Sequence, residues 1–224
     1  MKKIHLLNIG YPKAATTWIW DRLSKIPNIS FPMEKENPRF WEGQSVEDYI
    51  SCYNKWDITA NFFTYNFCLE RYRIKQLSSI DTAQVSFILR HPLDLAWSLY
   101  FFLNIDRSQI TFDEHCIELL DQSWFFSADK IITRWKEKFD DRFRVFYYED
   151  FAKDNHRFFS NYCKEMLDLK YDAVDLDKSM INSTNYSGQN KPQISPALTK
   201  RFNMQIEKIQ TVVDKDLSHW RIMA

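Results

Sequence analysis

The residues with the clearest chemical pattern follow a short apolar segment near the start of the chain. Gly10 opens the sequence GYPKAATTW, in which Lys13 precedes Thr16 and Thr17. An ammonium group, two hydroxyls and the N–H groups at the start of a helix together suit a phosphate or sulfate group. The spacing is not that of a Walker A loop, in which the lysine directly precedes the serine or threonine. An ordinary strand-to-helix turn with a solvated lysine is the alternative interpretation.

A second segment that combines charge with a hydroxyl is RHPLDLAWS, residues 90–98. Arg90 ends an apolar run, and Ser98 lies within the helix that the following residues predict. A guanidinium offers a phosphate a bidentate fork, and a nearby hydroxyl can bind the same group. Taken alone, the segment is more typical of a surface arginine and a helix serine without function.

Both segments stand where a predicted strand passes into a predicted helix. Strands that alternate with helices predict a three-layer α/β domain with a mostly parallel sheet, here one domain over residues 1–224. Ligands of such sheets bind at the carboxyl ends of the strands, where both segments lie. The predicted strands are residues 3–10, 28–32, 83–90 and 143–148. The predicted helices are residues 16–26, 45–53, 66–79, 93–103, one capped by Thr111 and Glu114, residues 123–139, one from Asp150 to about Leu167, and one from Ser195 and Pro196.

Composition narrows the class of protein. Thirty basic and thirty acidic residues cancel, which argues against nucleic acid and anionic membranes as partners. An apolar share of 45% indicates a globular chain, and no apolar stretch approaches the ~18 residues of a membrane-spanning helix. The four cysteines are scattered and the five histidines lack zinc spacing, which predicts reduced core thiols, a cytoplasmic location and no metal site. With three glycines, positions of positive φ are expected at Gly, Asn or Asp.

The two segments GYPKAATTW and RHPLDLAWS together resemble the sulfotransferases that use 3′-phosphoadenosine 5′-phosphosulfate (PAPS). YPKAATTW is similar to their 5′-phosphosulfate loop, with Ala14 and Ala15 where the family commonly has Ser-Gly, and RHPLDLAWS is similar to their 3′-phosphate motif. Further similar segments follow in the family's order: Lys35-Glu36 with the KEN-PRFW stretch, DITAN at 57–61, YYEDF at 147–151 and LSHW at 217–220. The resemblance implies a P-loop-nucleotide-hydrolase-like fold.

The implied reaction is in-line transfer of a sulfuryl group from PAPS to a hydroxyl or amine, without a metal. The acceptor is expected to be a glycan or a small metabolite, and the product of the donor is adenosine 3′,5′-bisphosphate. Lys13 is expected to stabilise the charge that develops on the oxygen between sulfur and phosphorus. The donor-binding residues implied by the resemblance are Lys13, Ala14, Ala15, Thr16, Thr17, Trp18, Arg90, Ser98, Tyr148, Gly188 and Lys191.

Glu36 is the candidate general base for the acceptor's proton. Members that act on small molecules use a histidine between the two motifs, and this chain has no histidine between His5 and His91. Because Ala15 replaces the usual glycine, the loop is expected to avoid positive φ at that position. Two alternatives stay open, a nucleotide-dependent kinase of related fold and a nucleotide-binding protein without activity. Neither the oligomeric state nor the choice between O- and N-sulfation follows from the sequence.

Overall fold

The computed structural model describes residues 3–31, 45–51, 57–63, 66–103, 109–122, 126–171 and 190–223. They group into two compact units. The sheet unit is drawn from Met1–Leu89 and Arg134–Asn182, and the helical unit from Arg90–Thr133 and Ser183–Ala224. The expectation of one domain concerns the whole chain and stays a prediction.

Five parallel strands in the described part of the chain form the centre of the sheet unit. They are β1 (Ile4–Asn8), β2 (Ile29–Ser30), β3 (Ile58–Asn61), β4 (Ala83–Leu89) and β5 (Phe143–Tyr147). Their order is β2-β3-β1-β4-β5, so the direction of winding reverses at β1. The side chains of β4 are almost all buried, as expected for a parallel strand covered on both faces. The predicted α/β class with a mostly parallel sheet is therefore confirmed.

The helices of the described residues separate by unit. In chain order they are α1 (Thr16–Leu23), α2 (Val46–Ser51), α3 (Arg71–Ser78), α4 (Pro92–Phe102), α5 (Phe112–Asp121), α6 (Ala128–Phe139), α7 (Tyr148–Lys153), α8 (Asn155–Leu167) and α9 (Pro196–Gln210). The sheet unit contains α1, α2, α3, α7 and α8, and the helical unit contains α4, α5 and α9. The boundary between the two units lies within α6.

The helix predicted over residues 66–79 is wrong as a single element. Asn66–Cys68 forms one 3₁₀ turn, and α3 starts at Arg71 after Glu70 in extended conformation. The N–H of Phe67 donates to the carbonyl of Ile9 at 3.0 Å. This long-range bond anchors the 3₁₀ turn to the loop after β1, and the extended Glu70 then separates the turn from α3.

The helix predicted from Asp150 to about Leu167 is two helices. Asp154 is extended, and its side chain accepts the N–H of Arg157 at 3.0 Å, which caps α8. An aspartate cap of this kind stabilises a helix start by about 1 kcal/mol and favours a break there. Tyr148 is the first residue of α7, not the last residue of a strand as predicted.

Helix α1 and helix α6 are shorter than predicted. α1 ends at Leu23, because Ile26 precedes a proline and Asn28 has a φ of 70°. α6 begins at Ala128, five residues after its predicted start.

A set of buried polar side chains lies between β1 and β3. One ring nitrogen of His5 contacts the hydroxyl of Thr59 at 2.7 Å, and the other contacts that of Tyr49 at 3.1 Å. Asn61 donates to the same Tyr49 hydroxyl at 2.8 Å. Burial lowers the pKa of His5 to about 4, so this histidine is neutral inside the fold.

Aromatic side chains and one capping box organise the helical unit. Trp97 and Tyr100 pack on Phe112 with ring centroids 5.0 and 5.5 Å apart. The predicted capping box is confirmed, since the Thr111 side chain accepts the N–H of Glu114 and the Glu114 side chain accepts the N–H of Thr111. At the start of α9, Pro196 is the first residue as predicted, but the Ser195 side chain makes no cap bond.

The described cysteines are free thiols. Cys116 in the helical unit and Cys163 in the sheet unit are buried, and Cys68 is partly exposed. Burial raises the pKa of each of the three thiols to about 12. In the part of the chain that the structure describes, no helix has the length and apolar character needed to cross a bilayer.

Candidate functional site

The loop after β1 starts at the carboxyl edge of the sheet and remains bonded to β4. The N–H of Ile9 donates to the carbonyl of Ser86 at 3.0 Å, and that of Tyr11 to the carbonyl of Ile88 at 3.1 Å. The N–H of Ile88 returns a bond to the carbonyl of Gly10 at 2.8 Å. Backbone bonding to β4 thus continues into the loop, which directly follows β1, the strand where the winding direction reverses.

The backbone of this loop is left-handed at two residues. Lys13 has a φ of 63° and Ala15 a φ of 62°. The expectation that Ala15 avoids positive φ is therefore wrong. Two such residues separated by Ala14 turn nearby N–H groups toward one side, as in the nests that hold anions. An anion bound by these N–H groups would offset the steric cost of a left-handed residue that carries a Cβ.

Helix α1 begins directly after Ala15. An alanine cannot cap a helix, and no side chain caps α1. The first N–H groups of a helix carry partial positive charge and lack intrahelical acceptors, so this end favours a bound anion. The sequence folds this way because KAATT supplies no Asp, Asn or Ser at the cap position.

The side chains of the loop divide into buried and half-buried ones. Ala14, Thr16 and Trp18 are buried, whereas Lys13 and Thr17 are half-buried. The half-buried ammonium and hydroxyl can thus reach a ligand with less movement than Thr16 needs.

Trp18 holds α1 against the helices that follow β5. Its ring packs edge-on against Phe151 and Phe159, with centroids 5.1 and 5.6 Å apart. The guanidinium of Arg22 lies 4.9 Å from the Trp18 ring centroid. The side chain of Trp18 therefore fixes the helix, and donor binding by this residue stays a prediction.

Tyr148 begins α7 in the same unit, directly after β5. Its ring is half-buried and lies 5.7 Å from that of Phe151. A helix start at the end of a strand is still at the carboxyl edge of the sheet, where ligands of parallel sheets bind, and donor binding by Tyr148 stays a prediction.

The second predicted segment lies in the helical unit. Arg90 directly follows β4 and is buried, and Ser98 is buried in α4. His91 is the N-cap residue of α4 but makes no side-chain cap bond. Along the sequence, Asp94 lies between Arg90 and Ser98, the two residues predicted to bind a phosphate. It stands in the first turn of α4, where its negative charge opposes the binding of an anion.

Lys191 forms an ion pair with this same Asp94. Both side chains are about a third exposed or more, so the pair adds little stability. Its effect is electrostatic, because it neutralises the carboxylate nearest to Arg90 and Ser98 along the helix. Sequence reasoning placed Lys191 in a donor-binding loop and missed its partner.

The side chain of His91 holds the end of the chain within the helical unit. Nε2 lies 2.8 Å from the carbonyl of Trp220 and donates to it, and the two rings are 5.4 Å apart. Burial lowers the pKa of His91, which keeps the ring neutral. Beside it is a cleft of about 360 Å³ whose lining includes His91, Asp94, Lys191, Thr199, His219 and Arg221.

The predicted site residues thus fall into three groups. Lys13, Ala14, Ala15, Thr16, Thr17, Trp18 and Tyr148 lie in the sheet unit, and Arg90, Ser98 and Lys191 lie in the helical unit. Glu36 and Gly188 lie outside the described residues. Among the described residues, no cluster of His, Cys, Asp or Glu side chains is suited to hold a metal ion.

Solved structures similar to this chain are sulfotransferases. One from Alicyclobacillus acidocaldarius is 16% identical over 99% of this chain and 100% of that chain, with a TM-score of 0.68. Mouse sulfotransferase SULT7A1 complexed with PAP is 14% identical over 96% of this chain and 87% of that chain, with a TM-score of 0.55. The sulfotransferase domain from the Synechococcus PCC 7002 olefin synthase is 16% identical over 97% of both chains, with a TM-score of 0.53.

No protein-family model matches the sequence, and no curated protein matches it. At such low identities the similarity is one of architecture. It agrees with the order of motifs along the sequence, which pointed to the same group of proteins. The chain has the sulfotransferase fold.

Proposed function

We propose that the chain is a sulfotransferase that moves a sulfuryl group from PAPS to a hydroxyl or amine of a glycan or small metabolite, in the cytoplasm. The observation that carries this proposal is the loop after β1. This loop has a half-buried lysine, a left-handed backbone and an uncapped helix start, and it lies at the carboxyl edge of the sheet. The chain that carries it has the sulfotransferase fold. The mouse structure complexed with PAP supports the choice of donor.

The proposed reaction is an in-line displacement at sulfur. A bond forms between the acceptor's oxygen or nitrogen and sulfur, while the bond from sulfur to the phosphate oxygen breaks. Adenosine 3′,5′-bisphosphate leaves, and the acceptor's proton passes to the carboxylate of Glu36. Lys13 stabilises the negative charge that develops on the departing oxygen, and no metal is needed for that role.

The remaining donor contacts follow from the chemistry of each group. The N–H groups of Ala14, Ala15, Thr16, Thr17 and Trp18, with the Thr17 hydroxyl, bind the 5′-phosphate. Arg90 and Ser98 bind the 3′-phosphate, and Tyr148 lies near the adenine. Gly188 contributes backbone to the donor site, and Lys191 acts there through its ion pair with Asp94.

Nucleotide-dependent melting tests the donor. Adenosine 3′,5′-bisphosphate at a hundredfold excess over its Kd should stabilise the fold by about 2.7 kcal/mol and raise the Tm by several degrees. ATP with magnesium should not. The reverse pattern would show a kinase and overturn the proposal, and absence of any shift with millimolar bisphosphate would also overturn it.

Variants within the same assay test the 3′-phosphate contacts. Arg90→Ala should lower the affinity for adenosine 3′,5′-bisphosphate at least tenfold, because a charge-assisted hydrogen bond contributes roughly 1.5–3 kcal/mol. The affinity for adenosine 5′-monophosphate, which lacks the 3′-phosphate, should change little. Arg71→Ala serves as control, since this arginine is largely exposed. Equal losses for both nucleotides would reject this assignment. A radiolabelled transfer assay with glycan and small-metabolite acceptors then decides between the two acceptor classes.

A further inference from the structure

A series of buried hydrogen bonds connects α8 with Gly10 in the loop after β1. The hydroxyls of Tyr162 and Ser86 lie 2.7 Å apart, and Asn8 Nδ2 donates to Ser86 Oγ at 3.0 Å. Asn8 Oδ1 in turn accepts the N–H of Gly10 at 3.3 Å. The side chains of Tyr162, Ser86 and Asn8 are all completely buried.

These polar side chains stand among apolar neighbours. The rings of Phe146 and Phe158 lie 4.8 and 6.3 Å from that of Tyr162. Replacing a buried hydrogen-bonded set by apolar groups of similar shape is often neutral or stabilising. Stability alone therefore does not account for the three polar residues, whereas a directional role does.

The direction comes from the amide of Asn8. An asparagine side chain has one donor end and one acceptor end. Because Ser86 engages the donor end, the acceptor end must point toward Gly10. Tyr162 bonds to Ser86 on its other side and so limits the rotation of the serine hydroxyl.

The Gly10 N–H has no acceptor on β4. The N–H groups of its neighbours Ile9 and Tyr11 donate to β4, whereas the N–H of Gly10 points to the Asn8 side chain. The Asn8 side chain supplies the acceptor instead. It therefore fixes the backbone where the chain leaves the sheet, three residues before Lys13.

We propose that Tyr162, Ser86 and Asn8 are positioning residues that hold the loop after β1 in the conformation that binds the donor's 5′-phosphate. This inference rests on the proposed function. Tyr162 touches neither donor nor acceptor in this scheme; it acts through Ser86 and Asn8 on the backbone that carries Lys13.

Tyr162→Phe tests the proposal because it removes one hydroxyl and keeps the packed ring. Hydrogen exchange of residues 9–17 in the unliganded protein should become at least fivefold faster. Affinity for adenosine 3′,5′-bisphosphate should fall about fivefold, as expected for one lost hydrogen bond, while that for adenosine 3′-monophosphate stays unchanged. Tyr72→Phe, which alters a largely exposed tyrosine, should change none of these quantities.

Ser86→Ala provides a second variant and a coupling test. If the residues act in series, the double variant should lose no more affinity than the larger single loss. Additive losses, unchanged exchange, or equal losses for both nucleotides would overturn the positioning role. If the unaltered chain binds neither nucleotide, the proposed function fails, and faster exchange in Tyr162→Phe then still shows that the network holds the loop.

Discussion

Five non-glycine residues of the described chain have a left-handed backbone, and they differ in how well their types tolerate it. Asn28, Asp140 and Asp168 are of the types that the low glycine content led us to expect. Lys13 and Ala15 are not, since they lack the short polar side chain with which Asn and Asp offset the roughly 1–2 kcal/mol cost of this conformation. Both lie in the loop after β1, and strain concentrated at one loop is typical of a functional site.

Ala15→Gly should therefore stabilise the fold. Glycine adopts positive φ without the steric cost, and its greater freedom in the unfolded chain offsets part of the gain, so the free energy of unfolding should rise by about 1 kcal/mol. Urea denaturation at constant m-value measures it. Ala14→Gly is the matched control at a neighbour without positive φ and should destabilise; a loss of the same size at Ala15 would contradict the left-handed assignment.

The proposed base is tested by Glu36→Gln, which keeps the size of the side chain and removes its basicity. Turnover should fall by about 10²–10⁴, while affinity for adenosine 3′,5′-bisphosphate stays the same. The acid limb of the pH–activity profile should also flatten. Glu34→Gln, two residues away, controls for a general charge effect. Near-normal turnover of Glu36→Gln would exclude this base and direct attention to Asp57, because the Nε2 proton of His91 is held by Trp220.

The bounds of the predicted strands were closer to the structure than those of the helices, although β3 was not predicted as a strand. β1, β4 and β5 match their predicted bounds to within two residues at each end, because buried parallel strands appear as short continuous apolar runs. Helix starts and breaks depended on contacts that periodicity does not contain. The bond from Phe67 to Ile9 spans 58 residues, and it anchors the 3₁₀ turn that precedes α3.

The candidate site could also be predicted only in part, because some of its contacts join residues that are far apart in the sequence. The two loops that follow β1 and β4 could be found, since a strand that passes into a helix marks the ligand edge of a parallel sheet. The contact from Tyr162 to Ser86 spans 76 residues and that from Lys191 to Asp94 spans 97, and no local pattern links such pairs. An asparagine as the last residue of a largely apolar strand was the available signal for Asn8.

For the molecule as a whole, the buried His5 makes stability depend on pH. Its pKa is about 4 in the folded protein against 6.5 for an ordinary histidine, so the unfolded chain binds the proton more readily. The stabilisation is complete above pH 6.5 and is lost as pH falls from 6.5 to 4, amounting to on the order of 3 kcal/mol.

Urea denaturation from pH 7.5 to 4 measures this effect. His5→Gln should flatten the dependence of unfolding free energy on pH across that interval, whereas the same change at the exposed His219 should leave the slope unchanged. An unaltered slope in His5→Gln would mean that other groups cause the acid sensitivity.

The buried thiols give each unit its own chemical reporter of opening. An alkylating reagent attacks the thiolate, which a pKa of about 12 makes scarce at neutral pH, and burial blocks access to Cys163 and Cys116. Each thiol can react only when the packing around it opens. Because Cys163 belongs to the sheet unit and Cys116 to the helical unit, peptide mapping of a timed alkylation yields two separate opening rates from one unlabelled sample.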